Sequence, residues 1–159
     1  MSSKPIQSEK SPHILVLGMG GTIAGLANSP DKPLEYAAGQ VGVDSLVSHI
    51  ESAIPKSVKL VSHQLANINS RNLSESLLSL LGETVRASLE NPAVLGIVVT
   101  HGTDTIEETG VFLQLTCGQH ANKLGKRVIL TGAMLPSNAP GADGPSNLLD
   151  AIKWAATPL

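Results

Sequence analysis

The spacing of apolar and polar positions changes along the chain, and each change marks an element. After His13, Ile14-Leu15-Val16-Leu17 form an unbroken apolar run, as do Ile97-Val98-Val99 before Thr100. Such runs suit strands buried on both faces, as in a parallel sheet covered by helices. Val58, Leu60 and Ser62 alternate with Lys59 and Val61, which predicts a strand shorter and more exposed than the first. A fourth strand is expected over 126–131.

Between the strands the apolar spacing lengthens to three and four, the period of a helix face. Val43, Leu46, Val47, Ile50 and Ile54 draw one such face, which Pro55 ends. Leu73, Leu77, Leu81, Val85 and Leu89 recur every fourth residue, with Asn72 and Glu75 placed to cap the helix. Gly82 inside it costs about 1 kcal/mol relative to alanine and hints at close packing. Thr105 and Glu108 have capping-box spacing and open a third helix. In the last, Pro145 suits the first turn, and Leu148, Leu149, Ile152 and Ala155 are expected to be buried. Strands alternating with helices predict an α/β fold: a three-layer, doubly wound, mainly parallel sheet with flanking helices.

Four strands then end in polar turns, at 20–22, 69–71, 101–104 and 133–138. In a parallel sheet these turns share one end, the end where open α/β sheets bind ligands. The segment 26–40, with Asn28, Ser29, Pro30, Asp31 and Pro33, has no period and reads as a loop. Loops of this length are usually lids or binding loops. It holds Tyr36, the only tyrosine.

Composition narrows the function. Aromatic residues make up 2% of the 159, so the core must be aliphatic and stacking platforms for single-stranded nucleic acid are missing. A formal charge of −2 without a basic cluster gives no footprint for nucleic acid. No apolar run approaches a membrane span. Residues 1–12 are expected to form a disordered lead-in, and without an apolar core like that of a secretory signal they make the cytoplasm the default location. The single Cys117 reads as a buried structural thiol.

The turns carry the candidate chemistry. Gly18-Met19-Gly20-Gly21-Thr22 follows a strand like a dinucleotide fingerprint, but Ile23 stands where the third glycine belongs and there is no phosphate-loop lysine. Nucleotide binding is disfavoured. Thr22 instead places a hydroxyl where backbone N–H groups can stabilise an oxyanion. Thr22, Ser70 and Thr103 would face one cleft, with Asp104 beside them and Tyr36 above, which supplies the parts a hydroxyl nucleophile needs. Helix capping would equally account for Thr103 and Asp104, and the two threonines compete for the nucleophile's place. His101 is expected to be packed and hydrogen-bonded rather than a base. His13, His49, His63 and His120 lack metal-ligand spacing, so no metal is expected, and Glu107 and Glu108 suit the dipole of a first helical turn.

Taken together, the turns resemble the N-terminal domain of the bacterial-type L-asparaginase (glutaminase-asparaginase) family. The resemblance rests on Gly20-Gly21-Thr22-Ile23-Ala24-Gly25, Tyr36-Ala37-Ala38-Gly39-Gln40-Val41, Asn67-Ile68-Asn69-Ser70, Thr100-His101-Gly102-Thr103-Asp104-Thr105-Ile106-Glu107-Glu108-Thr109, and Gly132-Ala133-Met134 with Ala142-Asp143-Gly144-Pro145. It implies hydrolysis of L-asparagine to L-aspartate and ammonia through a threonine acyl-enzyme, with no cofactor, in a homo-oligomer in the full-length form. It further implies Thr22 as nucleophile, Tyr36 as its activating partner, and Thr103 and Asp104 as the second catalytic pair. Asp104 would also hold the substrate's α-amino group and Ser70 its α-carboxylate, with Gly21, Gly102 and the backbone around Ala133 lining the site.

Two departures stand out. Arg71 occupies a substrate-binding position where many relatives carry glutamine or another acceptor, and a guanidinium only donates. Relatives also continue past Thr157-Pro158-Leu159 with a strand carrying the lysine that pairs with the aspartate, then a C-terminal domain. The expectation is therefore an incomplete N-terminal domain over 13–159, truncated and impaired in activity. The alternative is a non-catalytic amino-acid-binding module.

Overall fold

The structure, a computed structural model, describes residues 9–29, 31–157 and 159. Its spine is β1 (His13–Gly20), buried along its whole length. It lies between β4 (Leu60–Ile68) and β5 (Val94–Thr100), and β6 (Val128–Thr131) pairs outside β5, giving the order β4-β1-β5-β6. All three pairings are parallel.

Side chains alternate across the sheet and divide the core in two. Ile14, Val16 and Val98 face α1 (Val43–Ile50) and α5 (Gly144–Ala156), meeting Leu46, Ile50, Leu148 and Ile152. Leu15, Leu17, Ile97 and Val99 face α2 (Glu75–Glu90) and a long helix whose two parts, α3 (Ile106–Leu113) and α4 (Gln119–Lys123), are joined by a π-helical segment, Gln114–Gly118. Each such fully buried aliphatic side chain contributes about 1.5–3 kcal/mol relative to exposure. These are the three layers expected of a doubly wound sheet.

Several boundaries differ from the sequence reading. The second sheet strand has nine residues against eight in β1, so it is not the shorter one, although it is more exposed. It is an edge strand, and its Gln64 is diverted: Gln64 Oε1 accepts from Val43 N at 2.6 Å and closes the start of α1. The helix expected to reach Ile54 tightens after Ile50 into a 3-10 turn, Glu51–Ala53. Ser74, not Asn72, caps α2, accepting from Leu77 N at 3.3 Å. Leu149 is only half-buried, and Ala151 takes a buried place in α5.

The predicted loop contains a two-stranded antiparallel hairpin, β2 (Leu26–Ala27) with β3 (Tyr36–Ala37); Pro30 within it lies outside the described residues. Of the lead-in expected to be disordered, residues 1–8 lie outside the described residues, whereas Glu9 and Ser11 are tied to Lys59 by an ion pair at 2.8 Å and a hydrogen bond at 3.0 Å. Gly82 does mark close packing, since a Cβ there would sit 2.8 Å from the Phe112 ring. Cys117 is buried and its thiol points at Gly82 O, 3.7 Å away. Among the described residues no helix is long and apolar enough to cross a membrane.

Candidate active site

The polar turns meet where the strands end. β1 leaves the sheet through Gly20 and Gly21, and Gly21 has φ 83° and ψ −170°, a region open essentially to glycine alone. Its N–H donates to Ile68 O at 2.8 Å, at the end of β4. The chain then turns once in a 3-10 helix, Thr22–Ala24. The first N–H groups of such a turn have no partner within it, which leaves main-chain donors beside Thr22.

Close packing of backbone on backbone draws the next turns in. A Cβ on Gly21 would sit 2.4 Å from Gly102 N and Cα, and a Cβ on Gly102 would sit 2.5 Å from Ser70 Oγ. Side chains at either glycine would push the β1, β4 and β5 turns apart. Thr105 Oγ1 donates to Ser70 O at 3.2 Å, tying the turn after β5 to the turn after β4. This bond replaces the expected capping box: Thr105 stands at the N-cap of α3 but makes no side-chain cap bond.

Over this junction the β2–β3 hairpin carries Tyr36, whose hydroxyl lies 2.8 Å from Thr22 Oγ1. Thr22 is only 7% exposed. The hairpin is pinned by a turn far away in sequence: Ala27 N donates to Asn138 Oδ1 at 2.7 Å, Asn138 Nδ2 donates to Ala27 O at 3.0 Å, and Ser137 Oγ donates to Gly25 O at 2.8 Å. Sequence reasoning placed 133–138 at the site but missed Ser137 and Asn138 as the clamp on the Tyr36 hairpin. The available signal was the polar pair Ser137-Asn138 set between Pro136 and Pro140.

On the far side, Arg71 Nε donates to Asp104 Oδ2 at 2.9 Å. Asn69 Oδ1 accepts from Arg71 N at 3.0 Å and holds that turn. Ser70 is buried, and its Oγ has no hydrogen-bond partner among the described residues. A buried hydroxyl without a partner costs stability, which marks Ser70 Oγ as a polar atom with bonding capacity to spare at the junction of the turns. Thr103 sits in the 3-10 turn Thr103–Thr105, where a Cβ added to Gly132 would lie 3.3 Å from its methyl. No hydrogen bond joins it to Thr22 or to a basic side chain among the described residues. Ala133 is buried against Ile23 near Gly144, so its side chain belongs to the core. The next two N–H groups, of Met134 and Leu135, are taken by the Asp143 carboxylate at 3.0–3.1 Å.

His101 is structural, as expected. Its Nδ1–H donates to Gly102 O at 2.8 Å and its Nε2 accepts from Thr109 Oγ1 at 3.1 Å. Burial pushes its pKa below the ordinary histidine value and outweighs the opposing Gly102 carbonyl and Glu108. The neutral ring fixes the backbone of the turn that carries Gly102. Among the described residues no group of three or more His, Cys, Asp or Glu side chains is arranged to hold a metal ion.

The sequence model for the N-terminal asparaginase domain matches residues 13–159. The chain belongs to the asparaginase family. It is 42% identical over 158 residues to L-asparaginase 2 of Bacillus subtilis, covering 99% of this chain and 40% of that protein. It is 34% identical over 145 residues to the glutaminase-asparaginase of Acinetobacter glutaminasificans, covering 91% of this chain and 42% of that one. The crystal structure of a probable cytoplasmic L-asparaginase from Campylobacter jejuni matches with a TM-score of 0.77 at 35% identity, over 92% of this chain and 43% of that chain. The chain thus spans about two fifths of the length of these asparaginase relatives.

Proposed function

We propose that residues 13–159 form the nucleophile-bearing N-terminal domain of an amidohydrolase that converts L-asparagine to L-aspartate and ammonia. The hydrogen bond of 2.8 Å between Thr22 Oγ1 and Tyr36 Oη carries this reading. A threonine hydroxyl attacks a carbonyl only when a neighbour takes its proton, and Tyr36 is the neighbour within reach. Thr22 Oγ1 bonds to the side-chain amide carbon of the substrate, and the carbonyl electrons move onto oxygen. Main-chain N–H groups of the Thr22 turn stabilise that oxyanion. The carbon–nitrogen bond then breaks, the nitrogen leaves as ammonia with the proton relayed from Tyr36, and an aspartyl ester remains on Thr22. Water cleaves the ester and restores the hydroxyl.

The proposal extends to binding. The orphaned Ser70 hydroxyl takes the α-carboxylate and Asp104 attracts the α-amino group, while Gly21 and Gly102 let the turns close around the ligand. Thr103 offers the second hydroxyl. L-Asparagine is the first choice of substrate because the relatives are named for it. Assembly as a homo-oligomer belongs to the same proposal.

The test is ammonia release from L-asparagine by the purified protein and by Thr22→Ala. Loss of turnover by about a thousandfold or more supports the threonine. Equal turnover in the two proteins overturns it. A second reading, an amino-acid-binding module without hydrolysis, is favoured by Asp104 being held by Arg71. Calorimetric binding of L-aspartate with no ammonia release would select it.

A further inference from the structure

Asp104, the carboxylate assigned above to the substrate's amino cation, already has a cation. The Arg71 guanidinium reaches it through Nε at 2.9 Å, from the turn after β4 to the turn after β5, with 76% of the Arg71 side chain and 42% of the Asp104 side chain exposed. The backbone on both sides of the pair is set, by Asn69 Oδ1 on Arg71 N and by Thr105 Oγ1 on Ser70 O. The two terminal nitrogens of Arg71 have no partner among the described residues. One residue earlier, Ser70 Oγ is buried, pressed against Gly102, and unpaired. These two turns therefore hold an exposed guanidinium fork, with an unpaired hydroxyl buried next to it in sequence, against a single carboxylate whose charge is balanced. Such a set matches an anion better than a cation.

We propose that Arg71 is a specificity-determining residue: by engaging Asp104 it shifts recognition from the α-ammonium to the α-carboxylate, so that the site takes monoamides of short dicarboxylic acids with or without an α-amino group. The inference rests on Ser70 and Asp104 being substrate ligands. An ammonium arriving at Asp104 must share that carboxylate with a guanidinium. A ligand lacking the ammonium leaves the pair intact and presents its carboxylate to Ser70 and to the free arm of Arg71. Because an exposed pair is weak, Arg71 lowers the preference for the amino acid without barring it.

L-Aspartate and succinate, which differ only in the α-amino group, separate the two modes without turnover. Calorimetric titration of each into the wild type and into Arg71→Gln is the experiment. The wild type is expected to bind the two within about threefold of each other, and Arg71→Gln to favour L-aspartate by about tenfold or more, the scale of one charge interaction in a partly solvated site. Arg71→Lys, which keeps the charge, is expected to stay near the wild-type ratio. A role for Arg71 confined to holding its turn would move both affinities together. An unchanged ratio in Arg71→Gln overturns the proposal and leaves the amino-acid site standing. Absence of binding by either ligand to every variant overturns both.

Discussion

Gly102→Ala is the sharpest perturbation of the junction between the site's turns. The backbone at Gly102, φ −78° and ψ 145°, is ordinary for any residue, so alanine meets no conformational strain there. Its cost is contact alone. The new methyl would lie 2.5 Å from Ser70 Oγ, 2.7 Å from Ser70 Cβ and 3.2 Å from Gly21 Cα. Ser70 cannot yield by rotating its side chain, because its Cβ is also too close and Thr105 holds its carbonyl. The turn after β4 must move, at the usual overpacking cost of about 1–3 kcal/mol. For a chain of this size that lowers the melting temperature by about 3–10 °C. Gly110→Ala is the control: a Cβ there meets nothing within 4 Å, and in the helix interior alanine should stabilise by about 0.5–1 kcal/mol. Thermal and urea unfolding of both variants should therefore move in opposite directions. Adding Ser70→Gly to Gly102→Ala removes the two closest clashes and should recover most of the loss, a coupling that a double-mutant cycle reads directly. A Gly102→Ala protein as stable as the wild type, or a double variant with no recovery, would refute the reasoning.

Three further outcomes follow from individual contacts. Tyr36→Phe should cut asparagine turnover by about a hundredfold while leaving the melting temperature within about 2 °C, as kinetics and calorimetry would show, because it removes one hydrogen bond at a half-exposed side chain. Asn138→Ala should destabilise by about 1–3 kcal/mol, because it leaves Ala27 N and O without their partners, and amide exchange at Ala27 should quicken more than in β1. Stability should begin to fall as the pH drops through 6.5, the ordinary histidine value: His101 resists protonation in the fold but protonates near that value when unfolded, so acid favours the unfolded chain until the folded pKa is passed. Urea midpoints on either side of that value check the sign, and a midpoint that rises toward acid would contradict it.

The sequence carried the architecture because the decisive strands are continuous apolar runs. Ile14 to Leu17 and Ile97 to Val99 admit one environment, the middle of a covered parallel sheet, and α2 and α5 follow from the apolar period. The candidate residues were legible for a related reason: Thr22, Ser70, Thr103 and Asp104 all lie just past strand ends, and parallel topology gathers strand ends. What stayed hidden depends on partners distant in sequence. The β2–β3 hairpin has strands of two residues, too short for any period, and it is held by Asn138, 111 residues from Ala27. Thr105 has every local reason to cap α3, yet its hydroxyl bonds Ser70 O, which only the folded sheet brings near. Arg71 shows the same limit. Its residue type raised the question of what it does beside a substrate cation, and the answer, a bond to Asp104, required the two turns in place.

The central claim is that Thr22 is the hydroxyl that takes the acyl group. Acid quenching during turnover of L-asparagine, followed by peptide mass spectrometry, tests it most directly. An aspartyl ester is expected on the peptide containing Thr22, absent in Thr22→Val. An ester on the peptide containing Thr103, or undiminished turnover in Thr22→Val, would contradict it.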